Sequence, residues 1–288
     1  MPNILDGPRG LSSQGITGIY YIAEDTALNA NGRGDDRGPI QEAIYRCATN
    51  GGGVVAGVPG VTCRVYGTLY MPSNVALYLP AGFTIILADG YNVDLIRNYD
   101  QSAGNTGLLI FGSGTLDGNR ANNTDNNRHV VDWRGVSLAR IEGVRIKSGS
   151  CYGVCLSTCH DVHLANVQLD DNGNHGLRVE YGYYVTWANL RSYDNCRTAT
   201  SGTADGVSLA VYSTDNGGVN TVAYDSASAG KRQGYGVREE VSSACDRNAF
   251  VGGALNDNAT GAILLDGGQS TAFILGNFTL PGGLTGSP

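Results

Sequence analysis

One five-residue phrase returns along the second half of this chain, and it limits what the chain can fold into. It reads Tyr152-Gly153-Val154-Cys155-Leu156, His175-Gly176-Leu177-Arg178-Val179, Asp205-Gly206-Val207-Ser208-Leu209 and Tyr235-Gly236-Val237-Arg238-Glu239, with a looser copy at Thr260-Gly261-Ala262-Ile263-Leu264. The glycines stand 23, 30, 30 and 25 residues apart. Self-similarity at such a period marks a repeat architecture, in which each unit buries its apolar face against its neighbours. Between the copies lie further alternating runs, Val162-His163-Leu164, Val167-Gln168-Leu169 and Val185-Thr186-Trp187, bounded by Asn, Asp or Gly. Three short strands per repeat of roughly 25 residues make one coil of a parallel β-helix, with alternate residues inside and outside. A propeller asks for periods of about 40 residues and hairpin turns, and a doubly wound fold asks for helices between strands; the gaps hold neither.

The expectation is therefore an all-β chain, a right-handed parallel β-helix with a short N-terminal capping helix, all in one domain. Ile40, Ala43, Ile44 and Cys47 have helical spacing, Pro39 suits a first helical turn, and Gly51-Gly52-Gly53 ends the run. A helix over residues 38–50 would cover the apolar cross-section of the solenoid. Residues 1–37 are read as an extension and residues 54–280 as coils. Recurrent Asn166, Asn172, Asn189, Asn195, Asn220 and Asn248 are expected at turns, stacked on one another in successive coils.

With 43 Gly, only 8 Pro and 16% charged residues, the composition suits strands and tight turns. A net charge of −7 without a basic patch argues against nucleic acid and anionic membranes as partners. No run of apolar residues is long enough to span a bilayer. The opening Met-Pro-Asn-Ile-Leu-Asp-Gly-Pro has neither a basic nor an apolar signal region, so no signal peptide is expected in this chain. Cys151, Cys155 and Cys159 fall in a strand-rich segment that spreads them along the chain, which favours structural thiols over a zinc site. Cys47 with Cys63 is a candidate disulfide.

The stretch Gly34-Asp35-Asp36, Ile40-Gln41-Glu42-Ala43-Ile44, Gly51-Gly52-Gly53-Val54-Val55 and Ser73-Asn74-Val75-Ala76-Leu77 resembles the opening of the pectate-lyase-like superfamily. Gly114-Thr115-Leu116-Asp117-Gly118-Asn119-Arg120 is similar to a phrase of mannuronan epimerases and polygalacturonases. The resemblance covers residues 30–280 and implies the β-helix, a polysaccharide or oligosaccharide partner, and an extracellular or virion-associated location. Spikes with this fold also make a homotrimer an open alternative. The catalytic signatures are not intact. Where epimerases carry Tyr-Gly-x-Asp-Pro-His, this chain has Tyr152-Gly153-Val154-Cys155-Leu156-Ser157. Arg145-Ile146-Lys147 and Asp170-Asp171 precede Asn174-His175-Gly176, an order polygalacturonases do not use.

The repeat itself indicates where chemistry would sit. Stacked coils bring Tyr152, His175, Asp205 and Tyr235 into one outer column, with Arg178, Glu180, Arg238 and Glu240 following on the same face. Glu180, Asp205, Glu240 and His175 are the catalytic candidates, since carboxyls and imidazoles supply general acids and bases. Tyr152, Arg178, Tyr235 and Arg238 are the substrate-binding candidates, by ring stacking and by hydrogen bonds to hydroxyls or uronate carboxylates. His129, His160 and His163 are read as turn or surface residues. No metal or cofactor is expected; calcium at the loop of Asp117, Asn119, Asn122, Asp125 and Asn126 is the alternative. The reading is a carbohydrate-active enzyme working by hydrolysis, β-elimination or epimerisation, with a non-catalytic glycan-binding or structural spike module as the alternative.

Overall fold

The computed structural model describes residues 18–24, 28–199, 202–226, 233–240, 245–265 and 271–274. The opening residues read for a signal peptide, and residues 275–280 of the expected coils, lie outside them. Among the described residues every strand pairing is parallel, and the chain winds as the right-handed β-helix that the repeat predicts. One coil comprises Val154–Ser157, His160–Ala165 and Gln168–Asp170; the next comprises Leu177–Glu180, Tyr183–Ala188 and Arg191–Tyr193. The first strand of each coil belongs to an eight-stranded sheet running from Leu69–Met71 to Gly261–Leu265. The other strands form a seventeen-stranded sheet that wraps the remaining sides.

Alternation decides what is buried. Trp133, Leu156, Val179 and Leu209 pair in register and fill one inward column, each fully buried. Glu239 occupies the next place in that column, opposite Leu209, and has no exposed surface. Its carboxylate accepts hydrogen bonds from Asn248 Nδ2 at 2.7 Å and Thr271 Oγ1 at 2.9 Å, and burial raises its pKa.

The repeated glycine has a steric cause. A Cβ on Gly176 would stand 2.0 Å from Ser192 Oγ, and one on Gly206 would stand 2.6 Å from the Gly236 carbonyl oxygen. The looser fifth copy is offset by one residue: Gly261 pairs with Tyr235, so Ala262, not Gly261, lies opposite Gly236. That register sets Ile263 opposite Val237 in the inward row; a one-residue slip would turn every side chain to the other face.

The helix spans Arg37–Thr49 and buries Ile40, Ala43, Ile44 and Cys47, the spacing read from the sequence. It also closes the edge of the eight-stranded sheet. Gln41 Nε2 donates to the Tyr70 carbonyl (2.9 Å) and Gln41 Oε1 accepts from the Tyr70 N–H (2.8 Å), replacing a missing strand. Strand pairing starts earlier than residue 54. Ile19–Tyr21 pairs with Gly53–Ala56, and Asn31–Asp35 pairs with Thr62–Val65. The segment Asn31-Gly32-Arg33-Gly34-Asp35 has no apolar alternation, which hid it.

Cys47 and Cys63 are buried, unbridged thiols, so the Cys47–Cys63 disulfide is not formed; burial pushes them up to about 11 and about 12. The asparagines do stack. Asn220 Nδ2 donates to Asn189 Oδ1 (2.8 Å) and Asn189 Nδ2 to Asn166 Oδ1 (3.0 Å) at one bend. At another, a buried ladder runs from Asn172 through Asn195 and Gln233 to Asn258.

Candidate functional site

The outer face of the eight-stranded sheet carries three rows of polar side chains. The first reads Asp94, His129, Tyr152, His175, Asp205 and Tyr235, because Leu95, Val130, Gly153, Gly176 and Gly206 each donate a backbone N–H to the carbonyl of the next residue in that row. The second reads Arg97, Asp132, Cys155, Arg178, Ser208 and Arg238. The third reads Arg134, Ser157, Glu180 and Ala210, with Glu240 following Glu239 in the next coil.

Arg178 joins the second and third rows. Its Nε donates to Glu180 Oε1 at 3.0 Å, Nη1 to Ser208 Oγ at 2.8 Å, and Nη1 and Nη2 to the two oxygens of Glu240, the latter at 3.1 Å. Burial alone would lower the Arg178 pKa, but Glu240 and Glu180 hold it above the usual arginine range. The Arg178 side chain is 10% exposed, whereas Glu180 and Glu240 keep 29% and 24% of their side-chain surface. Between the two glutamates in the row lies only the buried methyl group of Ala210. Two acidic side chains, two coils apart, thus border a notch with a guanidinium at its side.

Tyr235, His175, Asp205 and Arg238 form a second group at the other end of the strands. The Asp205 N–H donates to His175 Nδ1 at 2.8 Å, and Asp205 Oδ1 accepts from the Tyr235 N–H at 2.9 Å. Asp205 has no exposed surface. Its Oδ2 has no hydrogen-bond partner and lies 3.9 Å from Arg238 Nη1. Burial pushes its pKa up to about 7, against the pull of the Tyr235 N–H and Arg238. Burial and the Arg178 and Arg238 charges push His175 well below its ordinary value, so the imidazole is neutral. The same side-chain-to-backbone bond recurs along the row: Asp94 accepts from His129 N–H (2.7 Å) and His129 from Tyr152 N–H (3.3 Å). Tyr152 stacks on His129 with centroids 4.7 Å apart and tilts against His175 at 5.3 Å.

The structure therefore brings Arg178, Glu180 and Glu240 together, and separately His175, Asp205, Tyr235 and Arg238. Glu180 and Asp205 are on adjacent coils, but five positions separate their rows, about 16 Å of strand at roughly 3.3 Å per residue. They do not flank one bond. Sequence reasoning missed His129 and Asp132, which belong to the first two rows. His129-Val130-Val131-Asp132 lacks the glycine of the repeated phrase; only the register with Val154 exposes it.

His129, Asp132 and Cys155 place one ligand atom each within 4.8 Å of one another. Arg97 and Arg134 already lie 3.4 Å from the Asp132 carboxylate, and burial pushes the Cys155 thiol well up. The Asp132 charge is thus met by two guanidiniums. In the loop weighed for calcium, Asp117 pairs with Lys147 and Asp125 with Arg128, both at 2.8 Å, so the two carboxylates are already matched by cations.

Coils of this geometry define the pectate-lyase-like parallel β-helix fold, and solved structures of that class match the chain. Gene product 12 of bacteriophage phi29 aligns over 88% of this chain and 34% of its own, at 17% identity and a TM-score of 0.69. A hyperthermoactive exopolygalacturonase from Thermotoga maritima aligns over 91% and 77%, at 13% identity and a TM-score of 0.66. The tailspike protein of E. coli bacteriophage HK620, solved with a pentasaccharide, aligns over 93% and 52%, at 15% identity and a TM-score of 0.61. At these identities the likeness is one of fold. No family's sequence model and no curated protein matches the chain. No helix among the described residues is long and apolar enough to cross a membrane.

Proposed function

We propose that the outer face of the eight-stranded sheet binds a polysaccharide and hydrolyses it at the notch between Glu180 and Glu240. The observation that carries this reading is the pair of part-exposed carboxylates on either side of Ala210, both bonded to Arg178. Two coils separate their backbones by about 9.6 Å at the strand spacing of a sheet. The shared guanidinium draws the carboxyls themselves closer than their backbones, toward the span of about 5–9.5 Å that the carboxyl pairs of glycosidases occupy. Glu240 meets two guanidinium nitrogens and Glu180 one. Glu240, the more firmly held carboxylate, takes the role of base toward water or of nucleophile, and Glu180 that of proton donor to the glycosidic oxygen. Arg178 positions both.

Elimination and epimerisation find less support. Each needs a base and a free cation for a uronate carboxylate. His175 Nδ1 is occupied by the Asp205 N–H, burial pushes the Tyr152 phenol well above its ordinary value, and Arg178 is engaged by both glutamates, which leaves Arg238, 3.9 Å from Asp205, as the cation for such a step. A non-catalytic grip on glycans is the second reading; it is favoured by that same engagement, which ties both carboxylates to one guanidinium. A setting outside the cell or on a virion agrees with a polysaccharide ligand.

The test is incubation with acidic and neutral polysaccharides. New reducing ends without an ultraviolet-absorbing unsaturated product support hydrolysis. The unsaturated product would identify a lyase, proton exchange with solvent without cleavage an epimerase, and tight binding without any product a spike module.

A further inference from the structure

Resting on the proposed saccharide reading, we infer that the tyrosines at the turn beyond Glu180 form a second sugar-binding subsite, a stacking rim for the rings of a long chain as it leaves the carboxylate pair. Tyr181 follows Glu180 directly, and Tyr212 stands two residues after Ala210 on the next coil; the Tyr181 N–H donates to the Val211 carbonyl at 2.8 Å. Their rings stack 6.0 Å apart with planes 28° from parallel, so the two coils together hold one aromatic ledge. One step around the same turn, Tyr183 stacks on His160 at 4.8 Å and meets Tyr184 edge-on at 5.6 Å. Exposure is 48%, 41%, 54% and 63% for Tyr181, Tyr183, Tyr184 and Tyr212.

Folding gives no reason for these rings. Large aromatic side chains normally bury most of their surface, and here four on one turn keep 41–63% of theirs exposed beyond their mutual contacts. Tyr181, Tyr184 and Tyr212 also adopt φ of +52°, +56° and +56°, the left-handed region that disfavours bulky side chains. The place held by Tyr181 is Thr158 one coil earlier and Gly135 two coils earlier, and that of Tyr184 is Asp161 one coil earlier. Leu138 holds the place of Tyr184 two coils earlier and Val211 that of Tyr181 one coil later, both also at positive φ, so these bends take residues of any size, but carry rings at none of the neighbouring coils compared. Exposed ring faces with phenol hydroxyls match the apolar face and hydroxyl edge of a pyranose. The row's continuity with Glu180 makes the occupant a sugar chain rather than a protein segment. The substrate class is accordingly a polymer long enough to reach from the notch across the turn, not a disaccharide.

The full-length chain is titrated with labelled cello-, xylo-, malto- and oligogalacturonide ladders, before and after Tyr181→Gly and Tyr212→Gly are combined. Glycine accepts a positive φ without steric strain, so the variant keeps the turn, and its thermal midpoint is compared with that of wild type to confirm that the fold is retained. Affinity for the longest oligomers is expected to drop at least tenfold, while affinity and turnover for the shortest bound oligomer stay unchanged. Tyr181→Phe with Tyr212→Phe should retain most of the long-chain affinity. Unchanged long-chain affinity in the glycine variant overturns the rim, even if wild-type cleavage upholds hydrolysis. Rim-dependent binding without any product upholds the rim and overturns hydrolysis. No binding by the wild-type chain overturns both.

Discussion

At the scale of single residues, two acids report different physics. Glu180→Gln and Glu240→Gln each keep the hydrogen bond to Arg178 in kind but remove an acid–base function, so turnover on a bound polysaccharide should fall at least about 100-fold in each, measured as reducing ends at saturating substrate. Asp205 is a stability group. Its pKa of about 7 in the fold exceeds the ordinary unfolded value of roughly 3.9. The stability it contributes is fully present below about pH 4 and is lost as the pH rises through about 7. Neutral His175 acts in the opposite direction, since its lowered pKa makes the fold lose stability as the pH falls below about 6.5. Asp205→Asn keeps an acceptor for the Tyr235 N–H and removes the charge. Urea unfolding across this range should show wild type losing up to about 1.4 kcal/mol per pH unit relative to the variant; parallel curves would refute the assignment. The sequence made Glu180, Arg178 and Glu240 legible because they alternate out of the repeated strand. Asp205 stood among the same candidates, and its five-residue offset along the strand from Glu180 was legible only in the register.

At the scale of elements, backbone contact between coils sets tolerance. Gly176→Ala forces a methyl group to within 2.0 Å of Ser192 Oγ. A loss of about 3 kcal/mol or more is expected in equilibrium unfolding, as for other overpacked cores. Asn189→Ala breaks both bonds of the exposed asparagine ladder and sets alanine at φ +53°; about 1–2 kcal/mol is expected. The cap helix was readable because Ile40, Ala43, Ile44 and Cys47 carry a full helical period. The strand Asn31–Asp35 was not, since its pairing comes from backbone bonds to Thr62–Val65 and leaves no side-chain pattern. Glu239 was equally hidden. Alternation placed an inward side chain there, but only its bonds to Asn248 and Thr271 explain why it is a carboxylate.

At the scale of the whole molecule, stability is close to a sum of coils and interfaces. Ile44→Asp places a charge in the fully buried face of the cap. Hydrogen exchange should then lose protection first in Gly53–Ala56 and Leu69–Met71, which the helix touches, while Val154–Ser157 and Leu177–Glu180 keep theirs. Simultaneous loss everywhere would mean that the solenoid unfolds as one unit. The β-helix was legible as a whole because repetition averages over local ambiguity. The reaction was not, because it depends on which two of several outward acids converge, and that is decided by register and by the reach of one arginine. The most direct test of the central claim is product analysis on a cleaved polysaccharide, comparing wild type with Glu180→Gln and Glu240→Gln. The account predicts new reducing ends from wild type and none above background from either variant. Full cleavage by both variants would contradict it.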